Sequence, residues 1–503
     1  MTTSSLLSSF PLNLKSLESI QENGSTIPQY RQNKKCGNGI VHLGPGAFFR
    51  GHQAWYTHKA MEKCGGDWGI TAVSMRSSKV KEALSPQDGL YTLVELDKKI
   101  SHEVIGSISK VLVLGEDYNE VMHTLCSSTT YFVTLTITEK GYCLNANGDL
   151  DINHPDIIHD LIETSSKVSA IGLLAKALES RFLNSVAPFC VISCDNITDN
   201  GKRLKKALVK YTGEYNLALS DWLDEFLICP STMVDSITPA TDEQLKSMVS
   251  NQYAIQDNWP IKRESFLQWV IEDGLPEHRP AWEQCGAIFT DNVRGFEAAK
   301  LRLLNCPHST IAYLGSLMEV ETVYDAMQYE PLVRFVKDML DSEVMPSIEP
   351  PKELDAFIYS RAILERFNNP NVKHLLSQIA WDGSQKLPIR ILPIIEENLE
   401  NNRSICMLCH CVAAWMLFLR KQYLADREIV DPHNSLLLDI VMQCNNNAEH
   451  DVNIFVSMTP VFSDVLKRSK KFQQVLTRVY ASLSGVLDDP AYPWYRKLLA
   501  KAS

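Results

Sequence analysis

Short apolar runs alternate with longer polar-faced stretches through the first part of the chain. Gly39–Leu43, Gly69–Met75, Val111–Leu114, Tyr131–Thr136 and Phe189–Ser193 are rich in branched and aromatic residues, which predicts buried strands. Between them lie polar, helix-length segments. Ile171, Leu174, Ala175 and Leu178 in Ser169–Phe182 recur at helical spacing. Repeated strand-helix units predict an α/β, doubly wound parallel sheet with helices on both faces. Beyond about Asn292 the period changes. Leu301–Leu304, Ile311–Val320, Leu332–Leu340, Leu354–Phe367, Cys406–Leu419, Leu436–Val441 and Phe472–Leu487 all read as buried helix faces. The organisation expected is an irregular lead over 1–37, a Rossmann-type domain over 38–292 and a mainly helical domain over 293–503.

Composition narrows the class. The 503 residues are 45% hydrophobic, enough for two or more cores. A net charge of −11 with no basic stripe argues against nucleic acid as a partner. The 13 cysteines are scattered, so reduced thiols in a cytoplasmic protein are expected rather than a disulfide scaffold. The N-terminus lacks the charged start and apolar core of a signal peptide. The longest apolar run, near Ile405–Leu419, is too short to span a bilayer and reads as a core helix, so no membrane partner is expected. Within it, Cys406, Cys409, His410 and Cys411 have metal-like spacing. Consecutive helix positions point in different directions, so buried thiols are expected and no metal.

Two stretches carry chemistry. Gly39-Ile-Val-His-Leu-Gly44-Pro-Gly46-Ala-Phe-Phe49-Arg50 reads as a strand, a glycine turn and a helix start. Phosphates sit well there, because unpaired backbone donors and the helix dipole face them. Gly44 and Gly46 fit that use, while Phe49 occupies the third position of the usual glycine pattern and Arg50 follows it. The second strand ends in Ser74-Met-Arg76-Ser-Ser-Lys79, without the carboxylate that normally binds the ribose hydroxyls of NAD. Arg76 and Lys79 leave NADP open beside NAD.

Lys300-Leu-Arg-Leu-Leu-Asn305-Cys-Pro-His308 places an amine, an amide and an imidazole close together. A buried Lys can serve as a base near neutral pH, and an amide can donate to a developing alkoxide. Glu297, one turn before Lys300, is placed to relay a proton or simply to pair with it. On one straight helix Asn305 lies about 140° around from Lys300. Pro307 is expected to break the helix near 305 and turn Asn305 and His308 towards one pocket. Asp195 and Asn196 follow a buried strand, where ligands gather in parallel sheets, and Thr138–Tyr142 follows another. A proton acceptor and a hydride acceptor on one chain point to alcohol oxidation or its reverse.

Taken together, Gly44-Pro-Gly46…Arg50-Gly-His52-Gln, Ser193-Cys-Asp195-Asn196, Pro230-Ser-Thr-Met-Val234-Asp235, Trp269-Val-Ile-Glu-Asp273 and Lys300-x4-Asn305-x2-His308 resemble the mannitol dehydrogenase family of polyol-specific long-chain dehydrogenases. The resemblance runs from Ile40 to the last helices. It implies an NAD(P)-dependent, zinc-independent dehydrogenase, with the site between a Rossmann-type and a helical domain. It also implies roles: Lys300 as general acid/base, Asn196 and Asn305 as the oxyanion pair, His308 as a substrate-positioning residue. Glu297 would gate proton exchange, and Val234 and Asp235 would contact substrate. The chain departs from the family pattern at Cys306-Pro307, at Phe49 and after the second strand. Thr138–Cys143 and Asp382–Pro388 look more like the fructuronate reductase branch. There Lys386 or Arg390 would pair with a uronate carboxylate. The expected substrate is therefore a small polyol, ketose or uronate, with a lean to D-mannonate/D-fructuronate over D-mannitol/D-fructose or an arabinitol. A dinucleotide-sensing scaffold would keep the glycine turn and lose Lys300, Asn305 and His308. An epimerase with bound NAD would not consume added NADH.

Overall fold

The computed structural model describes residues 9–32, 37–97, 99–145, 147–163, 165–372, 374–458 and 460–487. The chain divides into two compact units, Met1–Arg294 and Gly295–Ser503.

All five strands predicted from the apolar runs exist and form one sheet. Ile108–Val113, Ile70–Ser74, Ile40–Leu43, Phe132–Leu135 and Cys190–Ser193 lie side by side in that order, every pair parallel. The strand encoded first sits in the middle, so the chain winds outwards in one direction and then in the other. The crevice between Ile40–Leu43 and Phe132–Leu135 is the switch point where such sheets bind ligands. Ile40, Val41 and Leu43 are almost wholly buried because helices cover both faces. One face packs on Ala170–Leu183 and Asn200–Gly213, the other on Gln53–Cys64.

Among the described residues, six of the eight strands that escaped the sequence pattern belong to two small sheets. They are Ile261–Glu264 with Tyr91–Leu96 and Ser101–Ile105, and Ile288–Thr290 with Gln268–Glu272 and Thr232–Asp235. Several carry charges that usually mark solvent. Here Arg263 is buried, paired to Glu95 at 2.9 Å and stacked over Trp55. Glu95 and the Trp55 ring offset the charge, so the strand is buried without reading as apolar.

The lead is not irregular over its described residues. Phe10–Pro11 pairs in parallel with Ile255–Gln256, and Leu17–Glu22 is helical. Asn13 and Ser16 form a reciprocal cap, while Leu12, Leu17, Ile20 and Ile27 are buried. Arg31 donates to the carbonyls of Gly106, Ile108 and Asp88, which fixes the lead to the domain.

In the second unit every predicted apolar face lies on a helix, the longest among the described residues being Cys406–Leu424. None of the described helices is long and apolar enough to cross a membrane.

Candidate active site

The switch-point crevice of the first unit is a cleft of about 490 Å³. Its wall is drawn from the ends of three strands: Gly44 and Gly46, then Ser74 to Ser77, then Thr136 to Thr138. Gly44 has φ +88°, and a Cβ there would lie 2.2 Å from the Thr136 carbonyl oxygen. Only glycine permits that turn. At Gly46 a Cβ would meet nothing nearer than the Gly44 carbonyl at 3.9 Å. That open space is what a phosphate approaching the backbone needs, so the residues present fit a dinucleotide.

The glycine turn is held from behind by His42. Burial lowers its imidazole to about 3, so the ring is neutral. The Gly44 carbonyl can only accept, so Nε2 carries the proton and donates to it at 3.2 Å. Nδ1 therefore accepts from the Thr134 hydroxyl at 2.7 Å, and Thr136 donates to the same Gly44 carbonyl at 2.7 Å. The opposite wall is held by Asp195. Its carboxylate accepts from the backbone N–H of Ile137 at 3.0 Å and of Thr138 at 2.9 Å, and from the Tyr142 hydroxyl at 2.7 Å. Thr138 has φ +66° and ψ +162°, a region that β-branched residues avoid. Such strain persists only where neighbours over-determine it, and Asp195 does so.

Asn200, which the sequence reading missed, is buried and joins two strand ends. Its amide donates to the Ser193 and Thr232 carbonyls and accepts from Thr232 N–H. It thereby fixes the loop that carries exposed Asn196, and the strand that carries buried Val234 and Asp235.

Two proposed cofactor residues face elsewhere. Phe49 is fully buried with its ring stacked on His42 at 3.5 Å. Arg50 is also buried; it donates to the Trp259 carbonyl at 2.6 Å and lies over the Trp259 and Tyr91 rings. The apolar and aromatic surroundings claim both side chains, and neither lines the cleft. Arg76 does line it, with 88% of its side chain exposed and Asp156 3.6 Å away.

In the second unit Pro307 does not break the helix. Val293–Ala299, Lys300–Asn305 and Cys306–Leu317 run on without interruption, and the middle segment is a π-helix. Cys306 N–H reaches the Leu301 carbonyl, five residues back. A widened turn of this kind accommodates Pro307 without a break, because the ladder is re-registered where its missing N–H and its ring would clash. It also changes which side chains align. An α-turn stacks residues four apart, a π-turn residues five apart. Lys300 and Asn305 are separated by that interval, so the widening cancels most of their angular offset. Arg302 steadies the segment through Glu397 at 2.7 Å. Lys300, Glu297 and Asn305 are all half-buried.

His308 is stacked on Phe367 at 5.2 Å and lies 4.9 Å from the His374 ring. Burial, then the fields of His374, Arg390, Arg366 and Lys386, press its pKa well below the usual imidazole value. Lys386 is lowered to about 8, chiefly by burial and then by Arg390. Its Nζ donates to the Ile379 carbonyl at 3.1 Å, and Arg390 donates to Ser309 at 3.2 Å. Nε of Arg390 and Nδ1 of His374 are buried without a partner. His374 and Arg366 were not found from sequence, since nothing local to either points to His308.

The same two-part organisation is found in known proteins. Residues 38–284 match the mannitol dehydrogenase Rossmann domain, and residues 292–484 the mannitol dehydrogenase C-terminal domain. The chain therefore belongs to the mannitol dehydrogenase family and, with it, to the oxidoreductases. It is 36% identical to the D-mannonate oxidoreductase of Escherichia coli K12, over 88% of this chain and 93% of that protein. It is 33% identical to a mannitol 2-dehydrogenase of Aspergillus clavatus, over 95% of this chain and 97% of that protein. Among solved structures, the Pseudomonas fluorescens mannitol 2-dehydrogenase, a ternary complex with NAD and D-mannitol, superposes with a TM-score of 0.81. That pair shares 32% identity over 98% of this chain and 100% of the other.

Proposed function

We propose that the protein is an NAD- or NADP-dependent reductase that interconverts a keto-uronate, D-fructuronate, and its C2 alcohol, D-mannonate. The observation that carries this reading is the cationic cluster of the helical unit: half-buried Lys386 and Arg390 beside His308 and His374. Two of its buried nitrogens, Arg390 Nε and His374 Nδ1, lack partners, and the Arg390 N–H is an unmatched donor, costly unless a ligand takes it up. A carboxylate satisfies such donors and the positive charge together. A neutral hexitol supplies hydroxyls and leaves the charge unmatched. The mannitol reading has its own support in the solved relative that holds NAD and D-mannitol.

A nicotinamide held in the cleft would supply the hydride that C2 receives in the reductive direction. Gly44 and Gly46 let the backbone approach its diphosphate, while Ser74, Arg76 and Ser77 lie on the same cleft wall. With no carboxylate closing that strand end, a ribose 2′-phosphate meets Arg76 rather than repulsion from its own strand. Lys300 Nζ gives its proton to the C2 oxygen, and takes it from the hydroxyl in the oxidative direction. Asn196 and Asn305 hold that oxygen through amide N–H donors as charge develops. His308, kept neutral by its surroundings, hydrogen-bonds a substrate hydroxyl, and Glu297 passes the proton on to water. These roles follow the family motif Lys300-x4-Asn305-x2-His308. Val234 and Asp235 are assigned to substrate contact on the same ground.

The reading is tested by a panel of D-fructuronate, D-tagaturonate, D-fructose and D-xylulose, each with NADH and with NADPH. D-fructuronate is expected to give the highest kcat/KM. A higher value with D-fructose returns the chain to the mannitol 2-dehydrogenase branch.

A further inference from the structure

Cys143, His154 and Asp156 each present one donor atom, a thiol sulfur, a ring nitrogen and a carboxylate oxygen, and these lie within 4.8 Å of one another. The family motifs assign nothing to them. The loop after Phe132–Leu135 passes through Cys143 at φ +52°, and an isolated bridge between Leu144 and Leu150 folds it back. The helix Pro155–Ile162 then starts beside the thiol. Cys143 and Asp156 both line the dinucleotide cleft.

A sulfur, a nitrogen and one oxygen suit a thiophilic, tetrahedral cation and not magnesium or calcium, which take oxygen shells. A zinc ion holds such atoms roughly 3.3–3.7 Å apart, as its bond lengths require. The site therefore closes with side-chain shifts of about an ångström, and the fourth coordination position opens to the cleft. Burial, with Asp156 and Asp160 next, holds the Cys143 thiol up at about 11. Binding releases the thiol proton to solvent and forms a metal–thiolate bond. Two contacts must yield. His154 Nδ1 accepts the Asp156 backbone N–H at 3.2 Å, and the exposed Arg76 guanidinium lies 3.6 Å from the Asp156 carboxylate.

We propose that Cys143, His154 and Asp156 form a site for zinc or cadmium in the wall of the dinucleotide cleft, and that its occupation excludes the dinucleotide. The proposal is independent of which sugar the enzyme reduces.

The test uses the full-length, cofactor-free protein and needs no turnover. Cadmium alone is titrated while its thiolate charge-transfer absorption is followed. One equivalent is expected, with proton release, and with loss of the band in Cys143→Ser but not in Cys64→Ser, which changes an exposed thiol. Asp156→Asn leaves the buried thiol in place and is expected to weaken cadmium at least tenfold. Zinc at ten times its own Kd is expected to raise the apparent Kd for NADH about elevenfold, the value for mutually exclusive binding. No stoichiometric band, a full band in Cys143→Ser, an unchanged cadmium affinity in Asp156→Asn, or an NADH affinity indifferent to zinc each overturns the proposal.

Discussion

The dinucleotide cleft of the first unit and the cationic cluster of the second are built on opposite plans. In the cleft the polar groups that shape the walls already serve one another. His42 is spent on Thr134 and Gly44, and Asp195 on Ile137, Thr138 and Tyr142. What remains for a ligand is backbone, open space and the exposed Arg76 guanidinium. In the helical unit, donors and charge are left over: Arg390 Nε and His374 Nδ1 lack partners, and Lys386 is held with a depressed pKa. On the proposed reading, a rigid main-chain cradle would take the dinucleotide diphosphate, and side chains that stay under-satisfied until a sugar arrives would select it. Pre-satisfied networks give rigidity; unsatisfied donors give discrimination.

The contrast is broken most severely at Gly44. Gly44→Ala drives a methyl into the Thr136 carbonyl. We expect NADH affinity to fall roughly a hundredfold or more, about 3 kcal/mol. Fluorescence titration of NADH measures this, and an affinity within threefold of the parent protein would show that the turn is not part of the cradle.

On the other side, Lys386→Met removes a charge-assisted bond worth about 1.5–3 kcal/mol. The KM for D-fructuronate is expected to rise roughly 10- to 100-fold, with kcat and NADH affinity little changed. The pH profile sharpens the point. Lys386 is cationic below about 8 and neutral above it. The parent kcat/KM for a uronate therefore holds on the acid side of that value and falls as pH rises through it, and Lys386→Met removes that limb. A neutral ketose should lack the Lys386 limb in either protein. An identical limb for both substrate types would detach Lys386 from carboxylate recognition.

The smallest effect is expected at Asp195. Asp195→Asn replaces one acceptor oxygen by a donor and frees one of the two backbone N–H groups at Ile137 and Thr138. A loss of about 1–2 kcal/mol in chemical denaturation is expected, with a rise of less than about tenfold in NADH Kd. A stability change without any change in NADH Kd would make Asp195 a fold residue with no bearing on the cleft.

The same contrast explains what could be read from the sequence. The five strands of the main sheet stood out because strands buried on both faces are continuously apolar. Gly44 was legible because its backbone demand admits one residue. The two small sheets were not, since charged pairs such as Arg263 and Glu95 hide burial behind a polar sequence. Phe49 and Arg50 continued a recognisable motif but turned into the core, which spacing alone cannot report. Lys300, Asn305 and His308 are legible as a motif, but the backbone that carries them is not. Pro307 predicts a break, whereas the helix takes it up in a widened turn. His374 and Arg366 join His308 only through tertiary packing, beyond the reach of local pattern.

The central claim is that Lys300 carries the proton in a dehydrogenase. Turnover and NADH binding of Lys300→Ala, measured side by side, test it most directly. The account predicts a fall in kcat of roughly 10³-fold or more, as for loss of a general acid, with NADH affinity held within about threefold. Turnover close to that of the parent protein would contradict it.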